Sequence, residues 1–132
     1  MYNGYMTTVK VESSRANYAS AKNFITNSFA KCAAGSETIV LPNYKTLSCN
    51  DNVLKLNDKF ADYFNYHAGF KNPYGSKNHA VTLDTSYFKK TGQCLWLGSI
   101  CMYANGNKIH IGINVGDESG GNVFLKDAIV KE

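Results

Sequence analysis

The cysteines Cys32, Cys49, Cys94 and Cys101 are the residues of this chain with the most definite chemistry. No two of them are separated by only two residues, whereas zinc sites usually contain such close pairs. An even number of cysteines at wide spacing favours two disulfide bonds in an exported protein. Free thiols in the core of a cytosolic protein are the alternative interpretation.

The histidines and one acidic turn are the other residues that could bind a metal or act in catalysis. His67, His79 and His110 are scattered along the chain, and we expect them to be exposed loop or strand residues rather than zinc ligands or partners of a nucleophilic cysteine. The turn GDESGGN contains Asp117 and Glu118, which could bind calcium, but it lacks the spaced oxygen ligands of an EF-hand loop. We therefore predict no metal site and no cofactor.

No catalytic motif accompanies these residues. The sequence has no glycine-rich phosphate loop, no nucleophile elbow and no paired-carboxylate motif, so we predict that the protein is not an enzyme. Trp96 is predicted to lie in the core, and the alternative is an exposed contact residue of the kind that dominates binding at interfaces.

The charge of the chain is mildly basic, with 14 Lys and Arg against 10 Asp and Glu. The basic residues are spread out and include a single arginine, Arg15, although arginine is the usual reader of phosphates and base edges. A solvated basic surface explains this balance, and a weak attraction to DNA or to anionic surfaces is the alternative. No apolar run approaches the roughly 20 residues that a membrane span needs.

The elements that must position these residues begin with a long helix over residues 1–34. Its apolar stripe has near 3.6-residue periodicity, and Gly35 is a suitable C-cap. Phe24 lies beside this stripe, and we expect these side chains to anchor the helix to a sheet. The predicted packing residues are Tyr18, Ala21, Phe24, Ile25 and Phe29, with Cys32 at the end of the stripe.

Residues 35–78 are predicted to form a connecting loop. It contains an extended piece at 38–41 and a short amphipathic helix that begins near Val53 and ends at Gly69. The segment KNPYGSKN has the composition of a turn.

Residues 79–132 are predicted to form an antiparallel sheet of about four strands. The clearest strand, KIHIGINVG, alternates strictly, with Ile109, Ile111, Ile113 and Val115 on one face. The preceding Asn-Gly-Asn predicts a type I′ hairpin. A helix separated along the chain from the strands is an α+β layout, so residues 1–132 are predicted to be one domain with the helix packed on the isoleucine face.

This layout resembles a type IV pilin. The specific residues lie in YNGYMTTVKVESSRANYASAKNFI, where Tyr2 and Tyr5 have the Tyr-x-x-Tyr spacing that in that family leads into polar and then small residues. The resemblance implies that the chain begins directly after the hydrophobic, membrane-spanning half of a longer helix. The family usually has a disulfide-closed loop near the C-terminus, and the absence of a cysteine after Cys101 departs from that pattern.

The pairing of the cysteines is left open by their spacing, although we favour Cys32–Cys49 and Cys94–Cys101. The first bridge would pin the connecting loop to the helix end. In a straight strand Cys94 and Cys101 would be roughly 20 Å apart, so they can pair only if the chain turns near Gly98. The other two connectivities remain possible.

The resemblance implies a structural role. The protein would polymerise with other copies of itself into a helical surface filament for adhesion, motility or DNA uptake, and it would sit in the inner membrane before the pilus assembly machinery exports it. Host surfaces or DNA are possible further partners. The alternatives are a pseudopilin of type II secretion, which a calcium ion near Asp117 would favour, and a small secreted disulfide-bonded binding domain, which predicts a concave pocket with convergent polar groups.

Overall fold

The computed structural model describes residues 2–75 and 79–132, with side chains from Thr7 onward. The first element is helix α1, Tyr2–Ala33. It ends in the predicted cap: Gly35 has φ 108°, its amide donates to the Cys32 carbonyl, and the Ser36 amide donates to the Lys31 carbonyl at 3.0 Å. This pair of hydrogen bonds is the Schellman motif, which satisfies carbonyls that the helix end leaves free. The side chains of Tyr2 and Tyr5 and part of the predicted turn at 71–78 lie outside what the structure describes.

A hairpin and a second helix follow α1. Strand β1, Thr38–Leu41, is the predicted extended piece, and it pairs antiparallel with β2, Lys45–Ser48, which the sequence did not predict. Helix α2 spans Val53–Tyr66, and the Asn52 side chain caps it by accepting a hydrogen bond from the Lys55 amide at 2.8 Å. Three of its spaced apolar residues are almost completely buried: Leu56, Phe60 and Phe64.

The second sheet has four strands in the order β3, Val81–Leu83; β4, Ile100–Asn105; β5, Lys108–Asn114; and β6, Phe124–Val130. The prediction of a wholly antiparallel sheet is wrong for one edge, because β3 pairs with β4 in parallel. Parallel neighbours need a crossover connection. Residues 84–99 supply it and contain helix α3, Ser86–Thr91, which the sequence did not predict.

The turn between β4 and β5 differs from the predicted one in type. Asn105 pairs with Lys108, so Gly106 and Asn107 are the two central residues. Gly106 has φ 61°, whereas Asn107 is not among the residues with positive φ. A glycine with positive φ at the first central position only is typical of a type II′ turn, whereas type I′ needs positive φ at both.

The core lies between α1, α2 and one face of the sheet, which we call the inner face. Its residues Ile109, Ile111, Ile113 and Val115 are fully buried. The opposite, outer face carries α3, whose Phe88 packs with Cys94 and Cys101 in a second, smaller apolar cluster. The predicted alternation of β5 therefore separates two different environments.

Candidate interaction surfaces

The predicted packing stripe of α1 lies in the core. Tyr18, Ala21, Ile25 and Phe29 belong to the same buried cluster as the inner-face isoleucines. Each of these side chains is removed from water, which is the main favourable contribution to folding. The helix is thereby fixed in orientation on the sheet, and its opposite side faces outward.

Phe24 is half-buried and joins α1 to α2. Its ring centroid lies 5.1 Å from that of Tyr63, 5.9 Å from that of Phe64 and 6.0 Å from that of Phe60. Two of these contacts are edge-to-face, a favoured geometry for aromatic pairs. Phe24 therefore extends the core from the sheet to the second helix.

Tyr18 makes the main polar contact between α1 and the sheet. Its hydroxyl donates to the Asp127 carboxylate at 2.6 Å, and the same carboxylate pairs with Lys22 at 3.1 Å. Burial raises the pKa of the Tyr18 phenol far above its ordinary value, and the hydrogen bond and charge of Asp127 raise it further. The phenol therefore stays protonated throughout the neutral range and fixes the helix against β6.

Both favoured disulfide bonds are present: Cys32–Cys49 and Cys94–Cys101. The first joins the end of α1 to the end of the β1–β2 hairpin, and the Cys49 amide donates to the Glu37 carbonyl at 2.9 Å. The hairpin presents Val40, which is 61% exposed. This arrangement fixes the hairpin, with its exposed Val40, beside the helix end.

The second disulfide closes a loop of residues 94–101, which we call the Trp96 loop. The predicted turn is present: Gly98 has φ 77°, and the Ser99 amide donates to the Trp96 carbonyl. The prediction that Trp96 lies in the core is wrong, because its side chain is 47% exposed and Leu95 is 48% exposed. The turn directs the chain inward at Gly98, so the two residues before Leu97 face outward.

Asn114 holds the Trp96 loop in place, and sequence reasoning missed it. Its side chain is fully buried, and its amide group donates to the Leu95 carbonyl at 3.1 Å and to the Asn122 side chain. Its side-chain oxygen accepts from the amides of Gly116 and Val123. A buried amide with all these partners satisfied is a rigid anchor. The signal in the sequence was an asparagine at the end of a strand whose alternate residues are isoleucines.

Asn72 and Tyr74 support the same loop from the segment before β3. The Asn72 side chain donates to the Leu97 carbonyl at 3.0 Å, and the Tyr74 hydroxyl donates to the Val115 carbonyl at 2.7 Å. Gly98 has no room for a side chain, because an added Cβ would collide with the Asn72 side chain. The Trp96 loop is thus an exposed apolar surface on a rigid support.

The outward side of α1 is the third candidate surface. Between residues 16 and 30 its exposed positions carry no charge: Ala16, Ala19, Ser20, Asn23, Thr26, Asn27 and Ala30. Lys22, in the same span, is half-buried and paired with Asp127. Helix faces that meet only water usually carry charged residues, so this surface differs from an ordinary solvated face.

The histidines do not converge. The His67 ring stacks on Tyr44 at 4.0 Å between centroids, His110 stacks on Tyr103 at 4.6 Å, and His79 is exposed. Burial lowers the pKa of His110, and the charge of Lys108 lowers it further. Within residues 2–75 and 79–132, no group of three His, Cys, Asp or Glu residues could hold a metal ion.

The acidic turn is organised by its own backbone. The Asp117 carboxylate accepts hydrogen bonds from the amides of Gly121 and Ser119 and from the Ser119 hydroxyl. These bonds lower the pKa of Asp117, with the Gly121 amide the largest contributor. Glu118 instead points to α1, where it accepts from the Thr8 hydroxyl at 3.2 Å. Both carboxylates therefore have structural partners.

In the part of the chain that the structure describes, no helix is both long and apolar enough to cross a membrane. Comparisons of the chain with models of protein families, with curated proteins and with solved structures found no match. The function must therefore be argued from the surfaces described above.

Proposed function

We propose that this chain is the globular domain of a type IV pilin, a structural subunit that polymerises into a surface filament. In this proposal the segment before Tyr2 is an apolar half-helix that sits in the inner membrane before assembly and in the filament core afterwards. The partners are other copies of the same subunit and the assembly machinery. The protein acts outside the cell and is not an enzyme.

The uncharged stretch of the outward side of α1 at residues 16–30, between the exposed charges of Arg15 and Lys31, is the observation that carries the proposal. Its small and polar residues let a neighbouring helix approach closely, whereas long charged side chains would hold it away. One side of α1 is already occupied by the sheet, so the other side is open to a helix of a neighbouring subunit. A filament built around such helices provides that contact.

The hairpin and the Trp96 loop supply further contact surfaces. Each presents exposed large apolar residues, Val40 on the hairpin and Leu95 and Trp96 on the loop, and each is fixed by a disulfide bond. Rigid, exposed aromatic residues lose little conformational entropy when they bind. These surfaces suit repeated contacts between neighbouring subunits.

The native coding sequence upstream of Tyr2 gives the first test. We expect a run of roughly 20 apolar residues, long enough to span a bilayer, with a glutamate near its start and a short basic leader before it. A native start at Met1, or an ordinary cleaved signal peptide followed by an unrelated domain, would contradict the proposal.

A charge placed on the outward side of α1 gives the second test. In cells that express the full-length gene, Ala19→Lys is expected to prevent filament assembly, because it introduces an unpaired charge between helices. Leu54→Lys, at an exposed position of α2 outside the three proposed surfaces, is the matched control. Both purified domains should melt like the wild type. Normal filaments formed by the Ala19→Lys subunit would contradict the packing model.

A further inference from the structure

A groove on the outer face of the sheet is a feature that the filament proposal does not use. It has a volume of about 470 Å³ and lies between the end of α3 and strands β4 to β6. Its floor contains Tyr103, His110 and Ala128, which are cross-strand neighbours. Such a concave site with converging polar groups is what a small-ligand pocket requires.

The rim of the groove is basic. Lys89 and Lys90 come from the last turn of α3, and Lys126 comes from β6 and lies along the backbone of Gly92. Lys89 forms an ion pair with Asp84, with 3.6 Å between the ammonium nitrogen and a carboxylate oxygen. Within the described residues, neither Lys90 nor Lys126 forms an ion pair, so both charges are available to an anionic ligand.

One carboxylate also lines the groove but is already neutralised. Asp127 is paired with Lys22 at 3.1 Å and accepts the Tyr18 hydroxyl. Both partners belong to α1, on the other side of the sheet. The net field in the groove is therefore positive and favours a ligand that carries negative charge.

The groove also has a flat aromatic surface. The His110 ring lies nearly parallel to the Tyr103 ring, at 9° between planes, so one of its faces is covered. Its cross-strand neighbour on the opposite side is Ala128, whose methyl side chain leaves the space beside the other face open. A planar ring can occupy this space, stacked on the imidazole.

We propose that this groove binds a nucleotide unit, with the base stacked on His110 above Ala128 and the phosphate held by Lys90 and Lys126. A nucleotide joins a planar ring to an anion, which is the pair of features that the groove accepts. Stacking on aromatic side chains beside a basic track is also how proteins bind single-stranded nucleic acid without reading its sequence. A free nucleotide and a single strand share this chemistry.

The direct test is an NMR titration of the folded domain at low salt with inorganic phosphate, thymidine monophosphate and an oligothymidine of about ten nucleotides. Both thymidine ligands are expected to shift the His110 ring protons upfield and to raise the pKa of His110. Tighter binding of the oligonucleotide identifies a single strand as the ligand, and equal binding identifies a free nucleotide. If phosphate alone reproduces every shift, or no ligand moves the His110 signals, the proposal is wrong.

Variants separate this site from general charge attraction. Lys126→Gln is expected to weaken oligonucleotide binding about threefold to fivefold. It should also reduce the slope of the logarithm of the binding constant against the logarithm of the salt concentration by about 1. Lys71→Gln, which removes the same charge at an exposed position outside the groove, should have little effect. Ala128→Leu should fill the stacking space and abolish the His110 ring shift. Equal losses from the two lysine variants, or an unchanged ring shift in Ala128→Leu, would overturn the proposal.

Discussion

The inner and outer faces of the sheet are built from the same strands, but the inner face forms the core and the outer face is partly open to solvent. On β5, Ile109, Ile111 and Ile113 point inward and are fully buried against α1 and α2. The alternate residues His110 and Gly112 point outward, toward the short helix α3 and the basic groove. One strand therefore contributes to a continuous apolar core on one side and to a partly open polar surface on the other.

This difference shows where stability and binding can be changed independently. The inner face is covered along its length by two helices, so a change there affects the free energy of unfolding of the whole domain. Among the described residues, those of α3 and the disulfide-closed Trp96 loop cover part of the outer face. Residues on the outer face can thus contact a ligand or a partner without disturbing the core.

The largest effect is expected when the inner face loses its helix anchors. Ile25→Ala and Phe29→Ala together should unfold the domain, because each buried large-to-small change costs about 2–5 kcal/mol and a whole domain is stable by only about 5–15 kcal/mol. Thermal denaturation followed by circular dichroism measures this. Thr26→Ala, exposed on the same helix, is the control, and near-normal melting of the double variant would refute the packing described here.

Each face of the sheet has one disulfide bond near it: Cys32–Cys49 packs against the inner-face core, and Cys94–Cys101 lies in the apolar cluster of the outer face. Removal of Cys32–Cys49 by alanine substitution should cost about 3 kcal/mol from loop closure, and removal of Cys94–Cys101 about 2 kcal/mol, because its loop is shorter. Only the second change should increase the mobility of Trp96, the single tryptophan. Denaturant unfolding and time-resolved fluorescence anisotropy measure the two effects. An equal change of Trp96 mobility in both variants would show that the two regions are coupled.

Gly112 is a point where the outer face is closely packed. A Cβ added there would lie 2.5 Å from the Phe88 ring and 3.0 Å from the Leu125 carbonyl. Gly112→Ala should therefore cost about 1–3 kcal/mol, which is typical of overpacking. In a Phe88→Leu background the same substitution should cost less, as a double-mutant cycle would show. Additive costs would mean that Phe88 does not rest on Gly112.

The smallest effect concerns the hydrogen bond between Tyr18 and Asp127, and it depends on pH. The unfolded chain loses the phenol proton near its ordinary pKa of 10.0, whereas the folded protein retains it at that pH. The hydrogen bond of Tyr18, worth about 1 kcal/mol, is thus fully present below pH 10. Above that pH the stability falls by about 1.4 kcal/mol per pH unit for as long as only the unfolded chain has lost the phenol proton. The difference in the free energy of unfolding between wild type and Tyr18→Phe should be constant below pH 10 and should decrease above it. A constant difference between wild type and Tyr18→Phe across this pH range would contradict the raised pKa of Tyr18.

Periodic patterns allowed much of the core to be predicted. The stripe of α1 and the strict alternation of β5 each require one face to be apolar, and these two faces meet in the structure. The two disulfide pairings were also anticipated, because a glycine turn allowed the second one. The candidate surfaces were harder to predict, since Trp96 has the composition of a core residue and only the turn at Gly98 places it outside.

Short elements without a period escaped prediction for a physical reason. Strand β2 and helix α3 are each too short to show a repeating apolar pattern, and their formation depends on contacts with β1 and with the outer face of the sheet. The parallel pairing of β3 could not be predicted without α3, because the crossover returns the chain to the end of the sheet where β3 begins, so that β4 runs in the same direction.

The sequence alone determined the long helix, its cap, the inner face of the sheet and the separation of apolar from polar positions on β5, because these follow from local periodicity and backbone preference. The tertiary structure decided which side of α1 is left uncovered, that Trp96 is exposed, and that lysines from α3 and β6 meet beside His110. These features depend on residues far apart in the chain, and their positions are set by crossovers and turns that no local pattern encodes.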